Sequence, residues 1–425
     1  MHVFARVTLP LAAMGFVNQA GRIVVALVGP AIALEFGLSA SGLGVLAAAY
    51  FAAYALAQLP IGLAMDLHGA RRVQVVLALV AAAGFLLSAL APDPAWLAAG
   101  RFVSGIGIAG ALIAIMKANV QWYPPKRLAA VTGAAVFIGG AGALAATWPV
   151  QALLPWTGWR GAFGLLALLS LVAAAWIRLS VPLAPPGAPP PPPRRRLRTE
   201  IAEFGRIFAH PQFLRFTPAV ALSSGLVFTY QGLWAGPWLR DVAGLGDQAR
   251  AGVLLAYALG MMTGHLSSGQ LASLLQARGR DPMVVPFLGM GCMALVQAVL
   301  ATGPRDPAAL PVLWFLFAAL GSCGPVAYAL LAQRFPPAMT GRVSTAMNGT
   351  MLALVFVMQA AIGFVLDLWP RTAAGGWDPA GYAWALGGTL ALQALALGWV
   401  ALAPRVLGRG GGPRAAAASA EAGGG

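Results

Sequence analysis

The residues of this sequence that could do chemistry are a few polar side chains set inside long apolar runs. The stretch 12–30, AAMGFVNQAGRIVVALVGP, carries Asn18, Gln19 and Arg22 in its middle. If this stretch crosses a membrane as a helix, Arg22 lies about 20 Å of helix rise from Leu9, inside the hydrocarbon. An arginine there costs at least about 2.5–3.5 kcal/mol, so it requires an anion, a dipole or water beside it. Two interpretations remain open: helix carbonyls and amides hold the guanidinium, or it binds a negatively charged or strongly polar ligand.

The composition identifies the class of protein that must position these side chains. Of the 425 residues, 59% are hydrophobic and only 9% are charged, whereas a soluble domain carries about 25% charge. We therefore expect a helical membrane protein embedded in a lipid bilayer, and the net charge of +15 is no sign of a nucleic-acid partner. Cys292 and Cys323 both lie in apolar runs and the four histidines are scattered. This pattern predicts neither a disulfide framework nor a metal site, and no cofactor.

Twelve apolar windows of spanning length predict twelve transmembrane helices. They fall at 9–34, 42–64, 73–91, 96–121, 128–153, 161–181, 214–239, 250–275, 282–302, 309–332, 343–368 and 380–403. The one long separator is rich in proline and arginine, which is typical of an extended tether. We predict an all-α membrane protein with two six-helix bundles, at 1–181 and 213–404, a cytoplasmic linker at 182–212 and a disordered tail at 405–425.

The placement of the basic residues predicts the orientation of the chain. With the N-terminus inside, 19 of the 27 lysines and arginines fall on the inner side, six fall outside and two lie within spans. This bias predicts that both termini are cytoplasmic and that the protein is a multi-pass protein of the inner (plasma) membrane.

The two halves of the sequence also resemble each other. At an offset near 207, Pro30 matches Pro237 and Gly62 matches Gly269, and QWYPP at 121–125 echoes QRFPP at 333–337. Two six-span repeats in parallel orientation are one plan of secondary transporters, in which the substrate site lies near the membrane midplane between the repeats.

The loop after the second window, GLAMDLHGARR at 62–72, resembles a loop motif of the major facilitator superfamily, G-x-L-x-D-R-x-G-R-R/K. Gly62, Asp66, Gly69 and Arg71 fit the motif and Arg72 follows them, whereas three positions depart from it: Ala64, Leu67 and Ala70. The resemblance implies that the loop latches the cytoplasmic side when the transporter faces outward. Asp66 would then lie at the N-terminal end of the helix that starts near Thr340–Gly341, where the helix dipole attracts an anion.

Arg101, in RFVSGIG, resembles the arginine that this superfamily places in the outer part of its fourth span. The resemblance gives it a role in gating or coupling. An interfacial arginine that extends toward the headgroups is the alternative.

The same resemblance implies that the first, fourth, seventh and tenth spans line a central cavity, with contributions from their neighbours. The candidate substrate-binding residues are Arg22, Asn18, Gln19, Tyr50, Tyr54, Lys117, Tyr230, Gln231, Trp234, Tyr257 and Asn348. For Lys117 the alternative is that its side chain reaches the cytoplasmic mouth. For the tyrosines the alternative is packing between helices.

The acidic residues are as informative as the basic ones. No Asp or Glu falls in the middle third of any predicted span, so Arg22 and Lys117 have no buried counter-ion in the sequence. This imbalance indicates that the ligand brings the negative charge. His265 is the one side chain at depth whose ordinary pKa is near physiological pH. It is a candidate for proton coupling or a hydrogen-bonded structural group.

These patterns predict a secondary transporter, acting as a monomer by alternating access, for a small organic or inorganic anion. A proton remains open as the coupling ion. The alternatives are efflux of a drug or hydrophobic metabolite and, from another class, a non-transporting receptor on the same fold. No nucleophile–base pair or metal constellation points to an enzyme.

Overall fold

The computed structural model describes residues 3–183, 197–336, 339–373 and 375–407. Within these ranges the chain is almost entirely helical, and its extended pairing is limited to one bridge between Arg371 and Trp377. Residues 184–196 of the predicted linker and 408–425 of the predicted tail lie outside the described ranges. The prediction of an all-α membrane protein is confirmed.

Sixteen α-helices make up most of the described chain. They are α1 (Leu9–Phe36), α2 (Ala40–His68), α3 (Ala70–Ala89), α4 (Pro94–Ile108), α5 (Ala111–Trp122), α6 (Pro125–Ala145), α7 (Trp148–Ser180), α8 (Leu197–Phe208), α9 (Pro211–Thr229), α10 (Ala235–Asp241), α11 (Asp247–Ala277), α12 (Val284–Ala301), α13 (Ala309–Gly321), α14 (Gly324–Ala332), α15 (Thr340–Leu366) and α16 (Pro379–Val406). Short π-helices at Phe4–Thr8 and Tyr230–Trp234 extend α1 and join α9 to α10.

Each of the twelve predicted windows coincides with one or two helices of the structure, and nine helical stretches of the described residues are both long and apolar enough to cross a membrane. The fifth window was predicted too long. The span α6 ends at Ala145, because Thr147 leaves the helical conformation and a new helix starts at Trp148 with Pro149 in its first turn. Proline favours this position because its missing N–H is not needed there.

The spans form two six-helix halves, α1–α7 and α9–α16, and the interruptions within them are pseudo-symmetric. The fourth span breaks between α4 and α5 at Ala109–Gly110, and the tenth breaks between α13 and α14 at Ser322–Cys323. These two spans occupy equivalent positions in the sequence repeat, so the structure repeats the same irregularity in both halves.

Because successive spans alternate in direction, the two ends of the bundle carry different loops. We call the end that holds α8 and the 62–72 motif the linker end, and the end that holds the segments 37–39 and 367–373 the opposite end. The halves meet mainly where α2 packs along α15 and where α1 packs against the π-helix Tyr230–Trp234 and α10.

Candidate functional site

Arg22 lies at mid-length of α1, close to the surface where the two halves meet. Its side chain is only 8% exposed. The guanidinium carbon lies 4.9 Å from the centre of the Tyr54 ring, on α2, and 5.0 Å from that of Phe228, on α9. Its Nε has no hydrogen-bond partner, and the described residues place no carboxylate in ion-pair contact with it. Aromatic faces from both halves therefore hold this cation without neutralising it.

Asn18 lies one helical turn before Arg22 and belongs to the same cluster. Its amide nitrogen donates to the Tyr54 hydroxyl at 3.3 Å, and its backbone carbonyl accepts from the Tyr50 hydroxyl at 3.3 Å. The side-chain oxygen of Asn18 is buried and has no partner. The cluster thus offers a ligand one free acceptor beside a positive charge. Gln19 is half-buried next to it on α1.

The break in the fourth span explains why two of these amides are buried. Ile108 and Ala109 precede the interruption at Gly110, so their carbonyls lack regular helical partners. The amide nitrogen of Asn18 donates to the Ile108 carbonyl at 3.4 Å, and that of Gln58, on α2, donates to the Ala109 carbonyl at 3.3 Å. Side chains of the first two spans therefore donate hydrogen bonds to the two carbonyls at the break in the fourth span. Asn18 has this structural role in addition to its unpaired side-chain oxygen.

Arg101 lies at the same depth as Arg22 but inside the first half. It is 1% exposed, donates from Nη1 to the Gly21 carbonyl at 2.9 Å, and lies 4.1 Å from the centre of the Tyr50 ring. Tyr50, whose hydroxyl donates to the Asn18 carbonyl, therefore joins Arg101 to the Arg22 cluster. The alternative of an interfacial arginine does not fit this depth, because the side chain points into the bundle.

Lys117 is not brought to Arg22. It forms an ion pair with Asp66 and donates to the Gly62 carbonyl at 3.4 Å, so it is bound to the 62–72 motif near the linker end. Along α1, Gly15 already faces Ile115, and Arg22 lies seven residues further on, about 10 Å of helix rise. In this structure Lys117 is held by the 62–72 motif rather than by the Arg22 cluster. Of the two alternatives for Lys117, the structure places it toward the linker-end mouth.

In the second half, three of the predicted aromatic residues lie in packed environments. Tyr230 and Tyr257 contact Trp314 at ring-centre distances of 5.7 Å, and the Tyr257 hydroxyl donates to the Val227 carbonyl at 2.7 Å. Trp234 donates from Nε1 to the Gln359 carbonyl at 3.0 Å. These contacts belong to the core of the second half.

Three other predicted residues lie outside this packed core: one has an unpaired amide nitrogen and two are half-buried. Gln231 is 3% exposed and its amide nitrogen has no partner. Asn348 is half-buried on α15, and His265 is half-buried on α11, where its backbone carbonyl accepts from Ser268 at 3.3 Å. Within the described residues, no hydrogen bond or ion pair joins His265 to the Arg22 cluster.

Phe228, a second-half residue whose ring lies against the Arg22 guanidinium, was not among the candidates predicted from the sequence. Phe228 directly precedes Thr229, the position that matches Arg22 at an offset of 207. The repeat therefore pointed to the correct turn of the helix. A phenylalanine in an apolar run otherwise looks like any core residue.

The bundle is closed at the opposite end. Gly236 of α10 lies so close to the Ala26 carbonyl that an added Cβ would overlap it, and a Cβ on Gly44 would lie 2.5 Å from the Gln359 carbonyl oxygen. Helices of the two halves thus touch backbone to backbone, which small residues permit.

At the linker end, the glycines around the 62–72 motif and at the start of α15 make no close contact with the other half. No atom lies within 4 Å of a Cβ added to Gly62, Gly69 or Gly341, and the Asp66 side chain is 59% exposed. Arg71 donates to the Arg178 carbonyl at 2.5 Å, within the first half, and Arg72 is exposed. The contact expected between Asp66 and the helix that starts at Thr340 is not made in this conformation, because Asp66 pairs with Lys117 instead.

The described residues contain no group of three or more His, Cys, Asp or Glu side chains that could hold a metal ion. The described residues offer a buried cation with aromatic and amide neighbours. Such an arrangement can bind and release a polar solute.

Comparison with known proteins agrees with this architecture. The family model of the Major Facilitator Superfamily matches residues 11–360. The chain is 29% identical to the uncharacterized MFS-type transporter YfhI of Bacillus subtilis, over 80% of this chain and 79% of that protein. It is also 30% identical to the probable sulfoacetate transporter SauU of Cupriavidus necator, over 37% of each chain. It is 32% identical to the human monocarboxylate transporter 11, over 50% of this chain and 44% of that one.

Solved structures show the same fold at low identity. The crystal structure of a bacterial homologue of the human lysosomal transporter Spinster, in an inward-facing and unoccupied conformation, is similar with a TM-score of 0.73, 19% identity and coverage of 96% of this chain and 98% of that one. A mutant of the nucleoside transporter NupG is similar with a TM-score of 0.75, 12% identity and coverage of 92% of this chain and 99% of that one.

Proposed function

The chain belongs to the major facilitator superfamily, and from this premise we propose that it is a secondary transporter that moves a small anion by alternating access. The observation that carries the proposal is the buried guanidinium of Arg22, which has no carboxylate partner among the described residues. Burying a cation costs several kcal/mol, and each aromatic face returns only about 0.5–2 kcal/mol. A carboxylate, sulfonate or phosphate on the substrate supplies the missing charge through charge-assisted hydrogen bonds.

Neighbouring side chains take separate roles in this proposal. The free oxygen of Asn18 accepts from a hydroxyl or protonated group of the substrate, and the amide nitrogen of Gln231 donates from the second half. Gln19 and Asn348 border the path, and Tyr50 and Tyr54 hold Asn18 and Arg22 in place. Tyr230, Trp234 and Tyr257 form the packed wall of the second half.

Two relatives support an anionic substrate. The names of the probable sulfoacetate transporter and of monocarboxylate transporter 11 describe carriers of organic acids. The alignments cover less than half of those two proteins, so they support the chemical class of the substrate and not its identity.

The charge bias supports an orientation with the linker end in the cytoplasm of a bacterial cell and the chain in the inner membrane. In that orientation the described conformation faces inward and releases substrate to the cytoplasm. Asp66 and Lys117 then belong to the cytoplasmic gate, and His265 is the candidate group for proton coupling.

Uptake into proteoliposomes tests the proposal. The panel contains sulfoacetate, lactate and phosphate, with the lipophilic cation tetraphenylphosphonium as the probe for hydrophobic efflux, each with and without a pH gradient. We expect saturable uptake of at least one anion, lost in Arg22→Ala and partly retained in Arg22→Lys. Arg305→Ala, at an exposed arginine outside the cluster, is the matched control and keeps wild-type uptake.

Wild-type anion uptake by Arg22→Ala would contradict the proposed site. Flux of tetraphenylphosphonium without flux of any anion would replace the proposal by hydrophobic efflux. A complete lack of flux, with a folded protein, would favour a receptor.

A further inference from the structure

The helices α2 and α15 come from different halves and pack side by side in opposite directions. Near the opposite end, a Cβ added to Gly363 of α15 would lie 2.5 Å from the Ala40 carbonyl oxygen, at the start of α2. The chain beyond α15 is therefore placed directly over the first turn of α2.

Asp367, the residue after α15, binds the free N–H groups of that first turn. Its two carboxylate oxygens accept from the backbone of Ala40 at 2.8 Å and of Ser41 at 2.9 Å. The next N–H, that of Gly42, donates to the Ser39 hydroxyl at 3.0 Å. The first N–H groups of a helix have no partner inside the helix, so a residue of the second half completes a helix of the first.

The segment that carries Asp367 makes one more contact with the first half and is attached to its own half through Asp241. Arg371 donates to the Leu38 carbonyl just before α2, which adds a third hydrogen bond between the halves. Trp377, in the same turn, donates its backbone N–H to Asp241 at 3.1 Å, and the Tyr382 hydroxyl donates to Asp241 at 2.8 Å. The turn therefore moves with the second half.

The charge of Asp367 suits this contact. Burial disfavours the carboxylate, but the hydrogen bonds from Ser41 and Ala40 outweigh burial and lower its pKa. The aspartate is thus ionised at neutral pH, at the positive end of the α2 dipole.

Two other aspartates near the opposite end cap only their own helices. Asp378 accepts from Ala380 at 2.8 Å at the start of α16, and Asp93 accepts from Trp96 at 2.9 Å at the start of α4. Asp367 follows its own helix and caps a helix of the other half. Local helix formation therefore does not explain its position.

We propose that Asp367 stabilises the closed state of the opposite end, and that its two hydrogen bonds to α2 must break each time the transporter turns outward. Asp66 has the corresponding position at the other end of the same helix pair: it lies in the last turn of α2, at the linker end, and its side chain is exposed. The proposal rests on alternating access and is independent of the charge of the substrate.

Distances between spin labels test it in the purified full chain, with Cys292 and Cys323 replaced by alanine. One pair of labels, at Leu90→Cys and Arg305→Cys, reports on the opposite end, and a second pair, at His68→Cys and Arg278→Cys, reports on the linker end. All four positions are exposed. Asp367→Asn should lengthen the first distance and shorten the second, with about a tenfold rise in the outward-facing fraction. Asp378→Asn is the matched control and should change neither distance.

A second variant removes a donor instead of the acceptor. Ala40→Pro deletes one N–H at the first position of α2, where proline is favoured and where the preceding Ser39 is already extended. It should shift both distances in the same direction as Asp367→Asn. Unchanged distances in Asp367→Asn, or an equal shift in Asp378→Asn, would overturn the proposal whatever anion is transported.

Discussion

The guanidinium of Arg22 lies against the ring of Phe228, with its carbon 5.0 Å from the ring centre. Arg22 belongs to the first half of the bundle and Phe228 to the second, so the cation at mid-depth contacts both halves. The affinity of Arg22 for a bound ligand would therefore depend on the relative position of the two halves.

The Phe228 contact predicts the effect of replacing that ring. Phe228→Leu keeps an apolar side chain but removes the aromatic face, whose attraction for a cation is worth about 0.5–2 kcal/mol. We expect the half-saturating concentration of the transported anion to rise about 2- to 30-fold, measured as uptake in proteoliposomes. Phe137→Leu, at a 60% exposed phenylalanine, is the control. Equal kinetics for Phe228→Leu and the wild type would show that the stacking does not stabilise the binding form of Arg22.

The close approach of α10 to α1 predicts a second effect. A Cβ on Gly236 would overlap the Ala26 carbonyl oxygen, so Gly236→Ala should prevent closure of the opposite end and trap the outward-facing form. We expect uptake to fall by at least tenfold while the protein still reaches the membrane. Gly252→Ala adds the same methyl group where no atom lies within 4 Å and should transport normally. Normal uptake by Gly236→Ala would mean that this contact is not needed for closure.

Most of the fold was predictable because a membrane span must be long and apolar along its own sequence. That requirement located all twelve windows. The breaks at Ala109–Gly110 and Ser322–Cys323 were not predicted, because they depend on partners far away in sequence. The Ile108 and Ala109 carbonyls are satisfied by Asn18 and Gln58, and no local pattern around Gly110 reveals those donors.

The site was predictable only in part. Arg22, Asn18 and Tyr54 came from unusual polar residues in apolar runs, and the structure brings these three together. Phe228 was missed because an aromatic residue in a span is most often core. Lys117 was predicted to bind substrate because a charge is unusual in an apolar run, but its position along α5 brings it into an ion pair with Asp66. Which group a buried cation contacts is set by helix register, and register is a property of packing rather than of composition.

The hydrogen bond from Gln58 to the break in the fourth span predicts that removing this side chain lowers stability. Gln58→Leu leaves the Ala109 carbonyl without its donor, and a hydrogen bond between membrane helices is worth about 0.6 kcal/mol on average, up to about 1.7. We expect the free energy of unfolding in detergent to fall by about 1 kcal/mol. Gln248→Leu, at an exposed glutamine, should leave it unchanged. An equally stable Gln58→Leu protein would indicate that another group takes over the carbonyl.

The start of the seventh span predicts a dependence of stability on pH. His210 caps α9: its Nδ1 accepts from the Gln212 backbone N–H at 3.2 Å, and its ring lies 4.4 Å from that of Phe335. Burial lowers the pKa of His210 below its ordinary value of 6.5, and only the neutral ring can accept this bond. The cap therefore contributes fully above pH 6.5 and is lost as the pH falls through the lower pKa of the folded protein.

Replacing this histidine by a cap that does not titrate tests the pH dependence. Asparagine caps a helix at any pH, and a cap is worth about 1 kcal/mol. Thermal unfolding between pH 8 and pH 5 should consequently show His210→Asn matching the wild type at pH 8 and exceeding it in stability at pH 5. His68→Asn, at an exposed histidine at the end of α2, should keep the wild-type pH dependence. If His210→Asn lost stability in parallel with the wild type over this range, titration of the cap would not be the cause.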